Sequence, residues 1–361
     1  MFGSFGSSRE PQRRQTPDYR FDLSRRLLTD LHRGECCAVV GVGSCGKSRL
    51  LMHLTRPETW EYHLGDSAYN HFVVLVACNA WLGDTIWAAY EGITRSLSEL
   101  LHTGNHPALQ AASRELEGMY KAVVDERDLA PKHLMTGLQY LLGGSRLRLT
   151  LCFDEFDFVF EQFDAQLFRN LRAIRNQHKY QLTYLVATRR QMPYQRDPSS
   201  WADVEEFYEL FSDNTYAIGP YEDKDAYEMI VDLERRYEHG LTKPTRQLLV
   251  GVTGGHPGFI SASFRILEAS RQQPSTPHQM EQLLVNEQAN AKEAQKIWDS
   301  LRQDERAALR RLATSGRTGR DDDAAVAGLI AKGLLRQANP RGGPTFFSPI
   351  LHAFARRAQE D

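Results

Sequence analysis

The chain has 361 residues, 41% of them hydrophobic and 25% charged, and its 44 Lys+Arg against 46 Asp+Glu give a net charge of -2. That length and composition describe an ordinary globular protein of two or three domains; no run of about 18 apolar residues marks a membrane span, and the balanced charge gives no overall attraction to nucleic acid. Five cysteines, odd in number and without metal spacing, read as small core residues of a reduced cytoplasm and not as a disulfide framework.

In chain order, Met1 to Gln15 mixes Gly, Ser, Arg, Gln and Pro without an apolar segment, which predicts a disordered tail over residues 1–17 and no signal peptide. Cys36 to Val40 is a short apolar run fit for a buried strand, and Arg49 to Leu54 fits a first helix. Between them stands Gly41-Val42-Gly43-Ser44-Cys45-Gly46-Lys47-Ser48, a complete G-x-x-x-x-G-K-[ST] loop in the strand–loop–helix setting its mechanics require. Its glycines let the backbone wrap a polyphosphate, so that successive N–H groups and the helix N-terminus face the anion. Lys47 is placed to reach the β- and γ-phosphates and Ser48 to ligate Mg²⁺, which makes Gly41, Gly43, Ser44, Cys45, Gly46, Lys47, Ser48 and Arg49 the expected nucleotide-contacting set.

A strand over residues 72–78 is followed by an amphipathic stretch from Trp81 to Leu101, with Ile86, Tyr90, Ile93 and Leu97 on one stripe. The apolar strand 147–153 then ends in Asp154-Glu155-Phe156-Asp157. A strand that delivers Asp154 to its C-terminal end supplies a second Mg²⁺ contact opposite Ser48, and Glu155 is placed to polarise an attacking water. From Asp164 to Arg175, Leu167, Phe168, Leu171 and Ile174 recur at helical spacing, leaving Arg169, Arg172 and Arg175 on neighbouring faces. One of these acting in trans on a neighbour's nucleotide is open, beside the plainer reading of a solvated helix face. The strand 181–187 leads into Thr188-Arg189-Arg190, where a polar sensor of the γ-phosphate fits, and 215–218 is a fifth strand. Strands alternating with helices predict an α/β fold, a P-loop NTPase parallel sheet with helices on both faces.

After Tyr221 no further parallel strand is expected. Helices around Ala226–Tyr237 and Thr245–Val250 make a lid, with a loop at Gln272–Pro277. The last part has the pattern of a winged helix: helices at Leu301–Leu312 and Ala324–Lys332, a wing from Leu334–Gln337 through Gly342-Gly343 to Thr345–Phe347, and a last helix from Pro349 to Arg357. A groove-reading helix wants basic residues near its N-terminal end. Here that end carries Asp321, Asp322 and Asp323, and only Arg336 and Arg341 are left for a backbone. A regulatory domain packed on the ATPase core or on a partner is favoured, and DNA binding is possible but not favoured.

Taken in order, the phosphate loop, Phe153-Asp154-Glu155-Phe156-Asp157, Ala187-Thr188-Arg189 and Thr253-Gly254-Gly255-His256-Pro257-Gly258 resemble the STAND class of signalling ATPases and their relatives, the origin-recognition-type AAA+ ATPases. The resemblance runs from about Tyr19 to the C-terminus, with only a loose match at Asp18-Tyr19-Arg20-Phe21. It implies a core over 18–219, a helical lid over 220–288, and a winged-helix domain over 289–361. It further implies that Pro257 packs on the adenine, that Thr188 and Arg189 sense the γ-phosphate, and that ATP or ADP binds with Mg²⁺. A STAND protein holds ADP in a closed state and oligomerises with ATP, often in defence or regulation, so a slow regulatory ATPase of the cytoplasm is expected. It would form a homo-oligomer in the ATP state and work with a separately encoded protein effector or sensor. The alternative is a DNA-associated loader of the origin-recognition type. A metabolic NTPase or kinase is a third class, with no second substrate signature in its favour.

Overall fold

The structure, a computed structural model, describes residues 15–103, 106–337 and 343–358. Five parallel strands form one sheet in the order β2-β3-β4-β1-β5, with β1 at Cys37–Val40, β2 at His71–Ala77, β3 at Arg148–Asp154, β4 at Leu182–Thr188 and β5 at Thr215–Ala217. All five expected strands are present, displaced by no more than one residue at either end. β4 lies between β1 and β3, so the phosphate loop after β1 and the acidic end of β3 flank the Thr188-Arg189 end of β4. In open sheets of this kind, ligands sit at the carboxyl ends of the strands.

Period-2 alternation divides each strand between two apolar cores. Cys37, Val39, Cys152, Leu185 and Ala187 face α1 (Phe21–Arg33) and α2 (Lys47–Leu54), with α3 (Pro57–Leu64) beyond. Ala38, Leu149, Leu151, Phe153, Tyr184 and Val186 face the other way. On that side lie α4 (Ile86–Thr103), α5 (Pro107–Asp125), α6 (Ala130–Leu142), α7 (Phe156–Gln162), α8 (Ala165–Gln177) and α9 (Glu205–Tyr208). Burial on both faces is what a parallel sheet requires. The amphipathic stretch begins later than its pattern suggests: α4 starts at Ile86, and Trp81 folds back onto it, touching the position a side chain at Gly92 would need. All five cysteines are buried and free.

The lid comprises α10 (Asp223–Tyr237), α11 (Lys243–Thr253), α12 (Pro257–Ser270) and α13 (Pro277–Leu284). Proline at N1 or N2 opens the last three, each behind a cap whose side chain accepts a backbone N–H: Thr242, His256 and Thr276. The C-terminal elements are α14 (Gln288–Asp299), α15 (Gln303–Ser315), α16 (Asp323–Ala331), a β6–β7 ribbon (Leu335–Arg336 with Thr345–Phe346) and α17 (Pro349–Arg357). The helix expected from Leu301 starts at Gln303, where the Glu305 side chain reaches back to accept the Arg302 N–H at 3.0 Å. The separate α14 before it escaped the sequence reading. One apolar cluster runs from α1 and the sheet through the lid to Leu351 and Ala355, so the C-terminal elements share the core of the loop-bearing face. Phe347, immediately after the ribbon, stacks on Phe259 of α12 with centroids 6.2 Å apart.

The tail expected over 1–17 lies outside the described residues except for 15–17, and so do Arg341 and Gly342 of the expected wing. Gln15 and Thr16 are placed against the body: Arg56 donates to the Gln15 carbonyl at 3.3 Å, and the Thr16 hydroxyl donates to Glu228 at 3.4 Å. Among the described residues no helix is long and apolar enough to cross a membrane.

Candidate nucleotide-binding site

The loop leaves β1 under tight constraint. Gly41 donates its N–H to the Thr188 carbonyl at 3.0 Å, and a Cβ there would fall 2.3 Å from Ile218 Cγ2. Ser44 (φ 56) and Gly46 (φ 95) take left-handed conformations, the second of them costly for any residue but glycine. α2 then begins at Lys47 with no side-chain cap, which leaves its first N–H groups for an anion. Lys47 Nζ donates to the Gly41 and Val42 carbonyls at 2.6 and 3.0 Å, so the ammonium lies folded over its own loop.

A cleft of 530 Å³ opens here. Gly43 to Arg49 line one wall, Asp154, Glu155, Asp157 and Arg189 come from the sheet ends, and Lys296 and Asp299 reach in from α14. Asp154 closes β3 and its Oδ1 accepts the Glu155 N–H at 3.0 Å; Glu155, at φ 55, makes the turn into α7. Asp157 Oδ1 accepts the Arg189 N–H at 2.7 Å. Burial raises the Asp157 pKa, against the Arg189 amide and the Lys47 charge. Among the described residues no group of three or more His, Cys, Asp or Glu converges on a metal position. A hydroxyl and one carboxylate across a phosphate cleft, Ser48 and Asp154, fit Mg²⁺, which takes few protein ligands and fills its octahedron with water and phosphate oxygens.

The lid and α14 close directly on the loop. His256 Nδ1 accepts the Phe259 N–H at 3.4 Å, and its Nε2–H donates to the Gly43 carbonyl at 3.2 Å, which fixes the tautomer. Burial pushes the His256 pKa down to about 4, with Glu293 and the Gly43 carbonyl opposing and Arg20 and Lys47 assisting. The Gly43 N–H donates to Ser300 Oγ at 2.9 Å, and Ser300 in turn donates to the Lys296 carbonyl at 2.7 Å. Gly43 admits nothing larger, since its Cβ would lie 2.7 Å from that same carbonyl.

Behind the loop, Tyr19 donates to Tyr221 Oη at 2.9 Å. Arg20, held at φ 48, donates to the carbonyls of Cys45 and Gly219, both at 2.9 Å, and stacks 4.6 Å over the Tyr221 ring. A cavity of 70 Å³ lies there, lined by Thr16, Tyr19, Arg49, Tyr221, Met229 and Asp232 among others. Arg49 lines both this cavity and the phosphate cleft, so a path along the loop from one to the other would run past this residue, whose guanidinium lies 3.8 Å from Asp232.

The cleft brings Gly43, Ser44, Cys45, Gly46, Lys47, Ser48, Arg49, Asp154, Glu155 and Arg189 together as expected. Three expected residues do not line it: Gly41 is buried where the loop leaves β1, with its N–H on the Thr188 carbonyl, and two others lie elsewhere. Thr188 pairs with Val40 and is fully buried; its side chain lines a different cavity with Ala38, Val40 and Thr215, and its hydroxyl has no partner among the described residues. The alternation of β4 turns it away from the side that Arg189 faces, so its side chain does not line the cleft. Pro257 is buried at N1 of α12 and lines neither end of the loop path; the aromatic residues there are Tyr19 and Tyr221. Of the helix α8 arginines, Arg175 is buried and donates to the Gly34 carbonyl, and Arg172 is paired with Glu209. Arg169 is bound to Gln166 on the exposed face. Tyr221, Lys296, Asp299 and Ser300 carry no motif, and only the fold reveals them.

No protein-family model matches the sequence, and no curated protein matches it. Solved structures do. A Walker-type ATPase of Pyrococcus abyssi is similar over 97% of this chain and 99% of its own, with a TM-score of 0.54 and 13% identity. The ORC1 protein of Aeropyrum pernix, in complex with DNA, is similar over 96% of this chain and 94% of its own (TM-score 0.46, 13% identity). Cdc6p of Pyrobaculum aerophilum covers 97% of this chain and 96% of its own (TM-score 0.43, 13% identity). The first of these likenesses extends over the whole chain and shows its fold, the parallel-sheet architecture of a Walker-type ATPase.

Proposed function

We propose that the chain is an ATP-binding and ATP-hydrolysing molecular switch of origin-recognition-like build, whose nucleotide state sets how the C-terminal elements sit on the phosphate loop. The observation that carries this reading is the make-up of one cleft: Lys47, Ser48, Asp154, Glu155 and Arg189 of the sheet face Lys296 and Asp299 of α14. Ser48 and Asp154 would hold Mg²⁺, which would screen the phosphate charge and fix its orientation. Glu155 would orient and polarise the attacking water, Lys47 would exchange its two loop carbonyls for phosphate oxygens, and Arg189 would hold the terminal phosphate. The base would lie toward Tyr19 and Tyr221. Because α14, the lid and the loop meet at Gly43, a change at the phosphates is felt by the C-terminal elements without a long relay.

The test is direct. ADP and a non-hydrolysable ATP analogue should each bind, phosphate should be released from ATP, and the two bound states should differ in proteolysis or sedimentation. Identical proteolysis and sedimentation with ADP, with the analogue and without nucleotide would remove the switch.

What the switch drives has two readings. The STAND reading, with a protein effector or sensor and a homo-oligomer in the ATP state, rests on the sequence resemblance. A DNA-associated ATPase of the origin-recognition type is the second, and it rests on the same sequence resemblance. One observation here also favours it. Asp322 of the acidic run is buried, paired with Arg311 and accepting the Gly319 N–H, so only Asp321 and Asp323 remain to repel a phosphate backbone. Duplex DNA titrated at two salt concentrations decides: tight binding that falls steeply with salt supports the second reading, and no binding near physiological salt supports the first.

A further inference from the structure

We propose that Lys296 is a contact for the terminal phosphate, presented by the C-terminal helix α14. Exchange of its ion-pair partner from Glu293 to that phosphate would be the step that couples a triphosphate, but not a diphosphate, to the C-terminal elements. This rests on the cleft being the nucleotide site.

Three sets of observations converge. Lys296 is the cation that α14 contributes to the cleft, across from Lys47, Arg49 and Arg189. Its place along the loop matters. The Tyr19–Tyr221 cavity marks one end of the path and shares Arg49 with the cleft, whereas Lys296 shares the other end with Asp154, Glu155 and Arg189. A nucleotide laid along the loop with its base in the first cavity brings its last phosphate, and not its first two, to Lys296.

Next, the lysine is available. Its Nζ lies 2.7 Å from Glu293 Oε1, but the side chain is 55% exposed and the pair is one helical turn long, so a modest rotation frees it. Exposed pairs of this kind hold weakly. Glu293 is the anchored partner: its other oxygen is buried without a hydrogen-bond partner, and only the absence of a side chain at Gly258 leaves room for it beside Ser44.

Finally, the helix is already bonded to the loop it would report on. The Gly43 N–H, Ser300 Oγ and Lys296 carbonyl form a chain of hydrogen bonds, so a pull on the Lys296 side chain acts on the turn between α14 and α15. Asp299, at the end of α14, also lines the cleft, and its carbonyl accepts from Arg190 at 2.9 Å. A terminal phosphate brought beside Asp154, Glu155 and Asp299 adds negative charge to a cleft into which α14 brings the exposed ammonium of Lys296. That charge favours the exchange.

The experiment measures affinities for ADP and for a non-hydrolysable ATP analogue in wild type, Lys296→Ala, Lys296→Arg and Glu293→Gln, together with protease cleavage in the α14–α15 turn. Lys296→Ala should weaken the analogue about tenfold, as expected for one charge-assisted hydrogen bond, with ADP within about twofold of wild type. It should also abolish the difference in cleavage between the two nucleotides. Lys296→Arg should restore both readouts, and Glu293→Gln should leave ADP unchanged without weakening the analogue. A Lys296→Ala protein that binds both nucleotides as wild type does, or loses both equally, overturns the latch while the nucleotide switch stands. A wild type that binds neither nucleotide overturns the switch itself, and the latch with it.

Discussion

His256 of the lid and Gly43 of the phosphate loop are joined by a hydrogen bond of 3.2 Å from Nε2–H to the carbonyl, the ring fully buried and Gly43 half-buried at the edge of the cleft. The bond needs a neutral ring whose Nδ1 is already taken by the Phe259 N–H, so protonation would put a second hydrogen where an acceptor is needed. The sequence Gly254-Gly255-His256-Pro257 is therefore more than a proline landmark: its histidine ties the lid to the loop.

Acid should unfasten this contact. His256 titrates near 4 when folded, mainly through burial, and near 6.5 when unfolded, so the unfolded chain binds more protons between those values. Stability is then full above about pH 6.5 and falls as pH drops toward 4, by at most on the order of 3 kcal/mol for this group. His53, pushed to about 4, and His71, pushed to about 3, both chiefly by burial, act in the same direction. The thermal midpoint should fall between pH 7 and pH 5, and His256→Gln should flatten part of that slope. A midpoint independent of pH across this range would show that these rings are not held neutral.

Lys47→Ala should lose nucleotide binding while keeping the fold. The ammonium does have partners without phosphate, the Gly41 and Val42 carbonyls, so its removal also costs stability on the order of 1 kcal/mol. Circular dichroism with a nucleotide titration separates the two effects. Wild-type affinity in a folded mutant would place the site elsewhere.

Glu155→Gln should retain nucleotide and Mg²⁺ and slow hydrolysis by about 10²–10⁴-fold, the usual range for a positioned base. Asp154→Ala should instead weaken the Mg²⁺-dependent part of binding. The two carboxylates are adjacent, yet Asp154 ends the strand and Glu155 turns out of it at φ 55, so they aim at different atoms. Phosphate release and Mg²⁺-dependent affinity, measured for both variants, check the division. Equal effects on both readouts would argue against it.

Much of this was legible in the sequence because each signal was local. The five strands are short apolar runs, and the loop motif fixes its own geometry between β1 and α2. Thr188 was misread because adjacent residues on a strand face opposite ways: the motif Thr188-Arg189 names both, while the pleat delivers only Arg189 to the cleft. Lys296, Asp299 and Ser300 were invisible because they meet the loop across more than 250 positions, through a helix whose own pattern is an unremarked amphipathic run. The gap between α14 and α15 was missed for a similar reason. It depends on Ser300 ending one helix and the Arg302–Glu305 cap opening the next.

Lys332 and Glu305 form a buried ion pair, with Nζ 2.7 Å from both carboxylate oxygens. Lys332→Met leaves Glu305, 1% exposed, as a buried charge held by the Arg302 N–H at 3.0 Å, with the Arg302 guanidinium 3.9 Å away. Breaking one partner of such a pair costs about 3–5 kcal/mol, whereas replacing both can be nearly neutral. Lys332→Met should destabilise the C-terminal elements strongly in a denaturant melt, and adding Glu305→Leu should recover a large part of the loss. A single mutant as stable as wild type would mean that the pair is hydrated and not buried.

Gly43→Ala and Gly254→Ala probe the two contacts that fasten the C-terminal part, and they should fail differently. At Gly254 the backbone is left-handed (φ 60) and a Cβ would lie 2.3 Å from the Phe347 carbonyl, so alanine is strained within its own residue as well as against the ribbon. Global stability should drop, visible as a lower thermal midpoint. At Gly43 a new Cβ meets the Lys296 carbonyl at 2.7 Å and the Lys296 Cβ at 2.9 Å, both on α14. The smallest adjustment is for α14 to move off the loop, which also breaks the Gly43–Ser300 hydrogen bond. Gly43→Ala should therefore keep a near-normal far-UV spectrum but expose the α14–α15 turn to protease, with ADP bound, more than in wild type. If the Gly43→Ala protein is cleaved no faster than wild type in ADP, the loop accommodates the methyl by itself. The contact with α14 would then be too soft to carry a nucleotide signal.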